Sequence, residues 1–111
     1  MLTLSCTKEV KYSKEALLKK AQNADSSVTI VIPKMEEGIR CDEYTPPCFS
    51  GHLVKIKNLD MLALEYLSQE DAIQAAKKYR GYYTGNWFFD DVAGEPLLEE
   101  FVTKHLDAKK P

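Results

Sequence analysis

The chain has 111 residues, a formal net charge of −2 and a hydrophobic fraction of 44%. That length suits one domain with an independent core. The slightly acidic balance excludes a global electrostatic pull toward nucleic acid or anionic membranes, and no apolar run reaches the roughly 20 residues that span a bilayer.

Met1 to Cys6 is followed at once by Lys8, Glu9 and Lys11, which is too short and too charged for a signal peptide. Three cysteines, an odd number with no secretion signal, predict a reducing cytoplasm and free thiols. Leu2 to Cys6 reads as a short first strand, which Val10-Lys11-Tyr12 could extend. Ser13 then suits an N-cap, and Leu17, Leu18, Ala21 and Ala24 form the apolar stripe of a helix over about 14–24. The cations Lys8, Lys11, Lys14, Lys19 and Lys20 read as a solvated surface. Val28 to Ile32 is β-branched throughout and reads as a strand ended by Pro33. Residues 34–51 form a long irregular loop, a length more often functional than incidental.

Leu53 to Lys57 alternates apolar and charged positions, as a half-buried strand does. Asn58-Leu59-Asp60 breaks the run. Met61 to Leu67 is apolar at nearly every position and predicts a central strand. Ser68 is a second N-cap, with Glu70 and Asp71 in the first turn of a helix over about 69–80. Gly81 fits the left-handed stop of that helix. Tyr82-Tyr83, the turn Thr84-Gly85-Asn86 and Trp87-Phe88-Phe89 read as a hairpin. Pro96 suits the first position of a last helix whose apolar side carries Leu97, Leu98, Phe101, Val102 and Leu106, with His105 among them. Residues 107–111 read as a frayed tail.

This order predicts a single α+β domain over 1–111, with a mainly antiparallel sheet of four or five strands. Helices 14–24 and 69–80 are expected on one face, with the C-terminal helix covering part of the other. In element order the chain resembles a ferredoxin-like two-layer sandwich. The RNA recognition motif shares that plait, but its base-stacking strand has no counterpart here. The corresponding run Asn58 to Tyr66 offers Tyr66 alone for stacking and carries Asp60 and Glu65, which repel phosphate.

Two functions from different classes follow. One is a small cytoplasmic, non-enzymatic interaction or regulatory module, acting through protein contacts or as a homodimer, with Tyr82, Tyr83, Trp87 and Phe88 as contacts, since Tyr and Trp are enriched at interface hot spots. The other is a small-molecule or catalytic pocket in the long loop, using Arg40, Cys41, Glu43, Cys48 and His52. Cys41 and Cys48 have six residues between them, wider than common zinc knuckles, so no metal and no cofactor are predicted. The acids Asp90, Asp91, Glu95, Glu99 and Glu100 read as the favoured charge at a helix start. The expected partner is a protein, with neither nucleic acid nor membrane involved.

Overall fold

Lys57 and Asn58 both adopt positive φ, at 48° and 70°. Two consecutive left-handed residues make the tight turn whose twist matches a β-hairpin. This turn joins β2 (Ser50–Ile56) to β3 (Leu59–Glu65) and fixes their register from Ile56↔Leu59 out to Ser50↔Glu65. The computed structural model describes residues 10–31 and 39–111. The strand expected over Leu2–Cys6 lies outside them. Leu59 and Asp60, expected in the turn, belong to β3 instead, because the turn needs only two residues.

Among the described residues three further strands join the sheet: β1 (Thr29–Val31), β4 (Tyr82–Thr84) and β5 (Trp87–Asp90). All neighbours are antiparallel and the order is β1-β2-β3-β5-β4. With α1 (Lys14–Ala24), α2 (Gln69–Tyr79) and α3 (Pro96–His105), the described residues form an α+β fold of three α-helices and a five-stranded antiparallel sheet. β3 and β4 run the same way with β5 between them, so β3-α2-β4 is a split β-α-β unit. A ferredoxin-like plait carries two such units. Here the β1-β2-β3 meander occupies the far side of β3.

Side chains alternate across each strand, and the two sets build two cores. On one face Val54, Ile56, Met61, Ala63, Tyr82, Trp87 and Phe89 pack with Leu17 and Ala21 of α1 and with Leu98, Phe101 and Val102 of α3. On the other, Leu64, Tyr66, Tyr83 and Phe88 pack with Ala72, Ala75 and Ala76 of α2 and with Cys48. Helices 14–24 and 69–80 therefore lie on opposite faces, not on one. The crossover geometry of the split unit assigns α2 its face, and α1 shares the other with α3.

Helix ends follow the sequence closely. The Ser13 and Ser68 hydroxyls accept from Ala16 N and Asp71 N, both at 3.1 Å. Pro96 sits at the start of α3. The stop of α2 differs: Arg80, not Gly81, takes the left-handed conformation (φ 58°). Gly81 is needed for close approach. A Cβ there would collide with the Phe88 ring and sit 2.7 Å from the Phe89 carbonyl oxygen.

The expected frayed tail is ordered. Asp107 turns the chain with φ 56°, Ala108 is buried, and Ala108 N donates to Val102 O at 2.9 Å. Lys109 then bridges to Tyr83 on the outer edge of β4. The edge strand is thereby covered, which removes a site of non-specific strand pairing.

Candidate functional site

The hairpin aromatics are core residues. Tyr82, Tyr83, Trp87 and Phe88 are 8%, 9%, 1% and 0% exposed. β4 and β5 are covered on both sides, so successive aromatics point into alternate cores and none presents a free ring to solvent.

The five loop groups do not converge. Cys41 and Cys48 form a disulfide, which corrects the expectation of free thiols for this pair. A single 3-10 turn over Cys41–Glu43 brings the two cysteines together, and Cys48 N donates to Cys41 O at 3.3 Å. The disulfide packs on the α2 side of the sheet. Among the described residues Arg40 pairs with Asp42, at 3.6 Å in solvent, and Glu43 is exposed. His52 projects from β2 onto the opposite face, where its ring lies 5.9 Å from that of Trp87. Among the described residues no free thiol is left to pair with an imidazole, and the sheet itself separates His52 from the two bonded sulfurs. Among the described residues no group of three or more His, Cys, Asp or Glu is placed to hold a metal ion.

The clip that the disulfide closes has a structural role. It seats Tyr44 edge-on against Tyr79, with centroids 5.3 Å apart, and the Tyr44 hydroxyl donates to Asp90 Oδ2 at 2.9 Å. Burial first, then the bond to Asp90 and its charge, raises the Tyr44 pKa. The acidic run is likewise occupied. Glu99 accepts from the Tyr82 hydroxyl and from Gly94 N, both at 3.2 Å.

The polar groups that do converge sit at one end of the sheet, where β2 begins and β3 ends. Ser50 and His52 share a face because they are two apart on β2, and the hairpin register sets Glu65 opposite Ser50. Ser50 Oγ donates to Glu65 Oε1 at 2.9 Å and lies 3.2 Å from His52 Nε2. A serine has one hydroxyl proton. With that proton on Glu65, His52 Nε2 must donate to Ser50 and cannot act as its base. The direction of the chain is therefore His to Ser to Glu, the reverse of a nucleophile–base relay. Burial lowers the His52 pKa, Lys14 adds to the effect, and Glu65 opposes it.

Beside this row runs a narrow apolar cleft of about 30 Å³ under α1, lined by Leu17, Ala21, Val54, Met61 and Phe89 with His52 and Lys14 at its edge. Pockets that enclose small organic ligands run to roughly 300–1,000 Å³, so this cleft is packing slack beneath a helix that buries few side chains.

The same end of the sheet carries exposed apolar side chains. Phe49 is 64% and Leu67 68% exposed, and Val10 is 41% exposed. The backbone N–H groups of Phe49 and Val10 are both bonded. Phe49 N donates to Glu65 O at 2.6 Å, and Val10 N donates to Gln69 Oε1 at 2.8 Å. Tyr12 anchors the same segment, accepting from Trp87 Nε1 at 2.8 Å and donating to Asn86 Oδ1 at 2.7 Å.

Reading the sequence singled out His52 but missed Ser50, Glu65, Phe49 and Leu67. The signal for the first pair was the Lys57-Asn58 turn: once placed, it makes Ser50 and Glu65 cross-strand partners by counting. Phe49 and Leu67 carry no signal, because an apolar residue at a strand end reads as core. Compared with protein-family models, curated proteins and solved structures, the chain matches none.

Proposed function

We propose that the chain is a non-enzymatic protein-binding module, and that it binds through the sheet end carrying Phe49 and Leu67. The observation behind this reading is the exposure of these two large apolar side chains, 64% and 68%, beside a strand pair with fixed backbone. Large apolar groups on rigid elements lose little entropy when a partner covers them, and they are the kind of anchor that dominates interface energy. Ser50, His52 and Glu65 supply the polar rim that such an anchor needs.

This moves the binding surface away from Tyr82, Tyr83, Trp87 and Phe88, whose burial leaves a partner nothing to touch without unfolding the hairpin. The small-molecule or catalytic alternative has less support, since its five groups are divided between two faces. No helix among the described residues is long and apolar enough to cross a membrane. The Cys41–Cys48 bond favours an oxidising compartment over the cytoplasm, where thiols are kept reduced.

A second copy of the chain is the first partner to test. Sedimentation velocity over a wide concentration range should show reversible dimerisation that the double substitution Phe49→Ser, Leu67→Ser weakens at least tenfold. A wild-type chain that stays monomeric at hundreds of micromolar would end the self-association reading. Binding to another protein would then be tested by comparing what the two forms capture.

A further inference from the structure

Ahead of α1 the chain passes over the turn between β4 and β5, and three hydrogen bonds meet the backbone of this strap. Val10 N donates to Gln69 Oε1 at 2.8 Å, Tyr12 N donates to Asn86 Oδ1 at 2.7 Å, and Tyr12 O accepts from Trp87 Nε1 at 2.8 Å. Every partner is a side chain, so the slot reads peptide groups two residues apart, as a strand neighbour would. We propose that this slot is a docking site for an extended peptide segment of a partner protein, with an aromatic residue where Tyr12 now sits. Val10–Tyr12 is its resident occupant. Such a partner belongs to the protein-binding end proposed above, on which this assignment rests.

The slot is built by the sheet and not by what fills it. Asn86 and Trp87 are 4% and 1% exposed. Asn86 Nδ2 donates to Tyr66 O at 3.1 Å, and Tyr66 N donates to Asn86 O at 2.8 Å. The amide is thereby locked, and its Oδ1 is the atom offered to a peptide N–H. Gly85, at φ 54°, opens the passage: a Cβ there would lie 2.9 Å from the Tyr12 ring and 3.0 Å from Val10 O. The side-chain position favours an aromatic, since the Lys20 ammonium lies over the Tyr12 ring, 5.6 Å from its centroid.

The occupant is held less firmly than the slot. Val10 and Lys11 are exposed, and residues 10–12 belong to none of the described strands. The start of α1 does not depend on them, because the Ser13 hydroxyl itself accepts from Ala16 N. Ser13 is extended, with ψ 161°, and serves as the hinge. The half-buried Tyr12 ring is what resists release, so a partner gains the slot by supplying an equivalent ring. The Trp87 ring and the hairpin stay in place throughout. The indole N–H and Asn86 Oδ1 exchange one peptide group for another.

The test is an NMR titration of the isotope-labelled full chain with the unlabelled peptide acetyl-Glu-Val-Lys-Tyr-Ser-amide, the sequence of residues 9–13 supplied in trans. The signals followed are the indole N–H of Trp87, the chain's one tryptophan, and the Asn86 side-chain amide. Tyr12→Pro removes both the ring and the N–H that bonds Asn86, and so empties the slot. Tyr12→Ala, which lacks the ring alone, is the second opened form. Both should bind the peptide saturably, and Tyr12→Pro at least about tenfold more tightly than wild type, whose tethered strap competes at a high effective concentration. A peptide N-methylated at its tyrosine cannot donate to Asn86 and should bind at least about tenfold more weakly. No saturable binding to either opened form, equal affinity for wild type, or indifference to N-methylation would overturn the proposal. So would loss of the fold in both variants, since a displaceable strap cannot be a condition of folding. Phe49→Ser, Leu67→Ser should leave the peptide affinity within about threefold, because neither side chain makes the three bonds. A chain that binds the peptide yet never dimerises supports the docking site and ends self-association alone. A chain that dimerises through Phe49 and Leu67 but ignores the peptide ends the docking site alone.

Discussion

Tyr83 and Lys109 exchange both of their backbone hydrogen bonds, Tyr83 N to Lys109 O at 3.0 Å and Lys109 N to Tyr83 O at 2.9 Å. One residue of the tail thus completes the outer edge of a three-residue strand. Replacing Lys109 with proline removes its N–H and leaves the Tyr83 carbonyl without that partner. A lost backbone bond of this kind costs about 1–3 kcal/mol. Urea unfolding of Lys109→Pro should show a loss in that range with an unchanged slope, whereas Lys109→Ala should be nearly silent because it keeps the bridge. Equal stability of the two variants would show that the bridge contributes nothing.

Tyr66 offers the opposite case. Its ring is 1% exposed under α2, and its hydroxyl is buried without a hydrogen-bond partner. Burial, followed by the nearby Tyr79 and Asp90, raises its pKa, so the hydroxyl stays neutral at any ordinary pH. An unsatisfied buried hydroxyl costs about 1–3 kcal/mol. Tyr66→Phe should therefore leave stability unchanged or raise it by about 1 kcal/mol, measured as a shift in denaturation midpoint. A clear loss would mean that the hydroxyl has a partner in solution.

The Cys41–Cys48 bond closes a loop with a sequence separation of 7. Loop-closure arithmetic for so short a loop gives about 2.5 kcal/mol. Reduction, or the pair Cys41→Ser, Cys48→Ser, should lower stability by about that much without unfolding the sheet, whose hairpins lie elsewhere. Tyr44 and Tyr79 should become more solvent-accessible, read by tyrosine fluorescence quenching. Complete unfolding on reduction would show that the clip holds far more of the core than the α2 side.

His52 gives a pH dependence with a defined sign. Its folded pKa lies below the ordinary 6.5, chiefly because burial disfavours the imidazolium. The neutral ring is therefore the one the fold prefers. Its contribution is present above about pH 6.5 and is lost as pH falls from there through the folded value. Glu65, which favours the charged ring, and Lys14, which opposes it, set how wide that window is. Melting temperature should decline between pH 7 and pH 5 in the wild type and decline less in His52→Gln. Parallel curves would remove His52 as the cause.

What the sequence by itself determined is local. Ser13 and Ser68 start helices because a hydroxyl satisfies an orphan backbone N–H a turn away, and Pro96 starts one because its missing N–H costs nothing there. The strand expected over Met61 to Leu67 was legible as far as Glu65, where β3 ends, because a strand covered on both faces is apolar at successive positions. Tertiary structure decided everything that depends on distance along the chain. The hairpin register was readable in principle from Lys57-Asn58, but non-glycine residues adopt positive φ too rarely for that pair to announce itself. The crossover from β3 through α2 to β4 gives α2 one face of the sheet, and packing with α3 puts α1 on the other. The disulfide partners, the burial of the hairpin aromatics and the capture of the tail by Tyr83 all follow from which surfaces meet. Local spacing cannot fix them, because the same residues would satisfy their local preferences equally well in solvent.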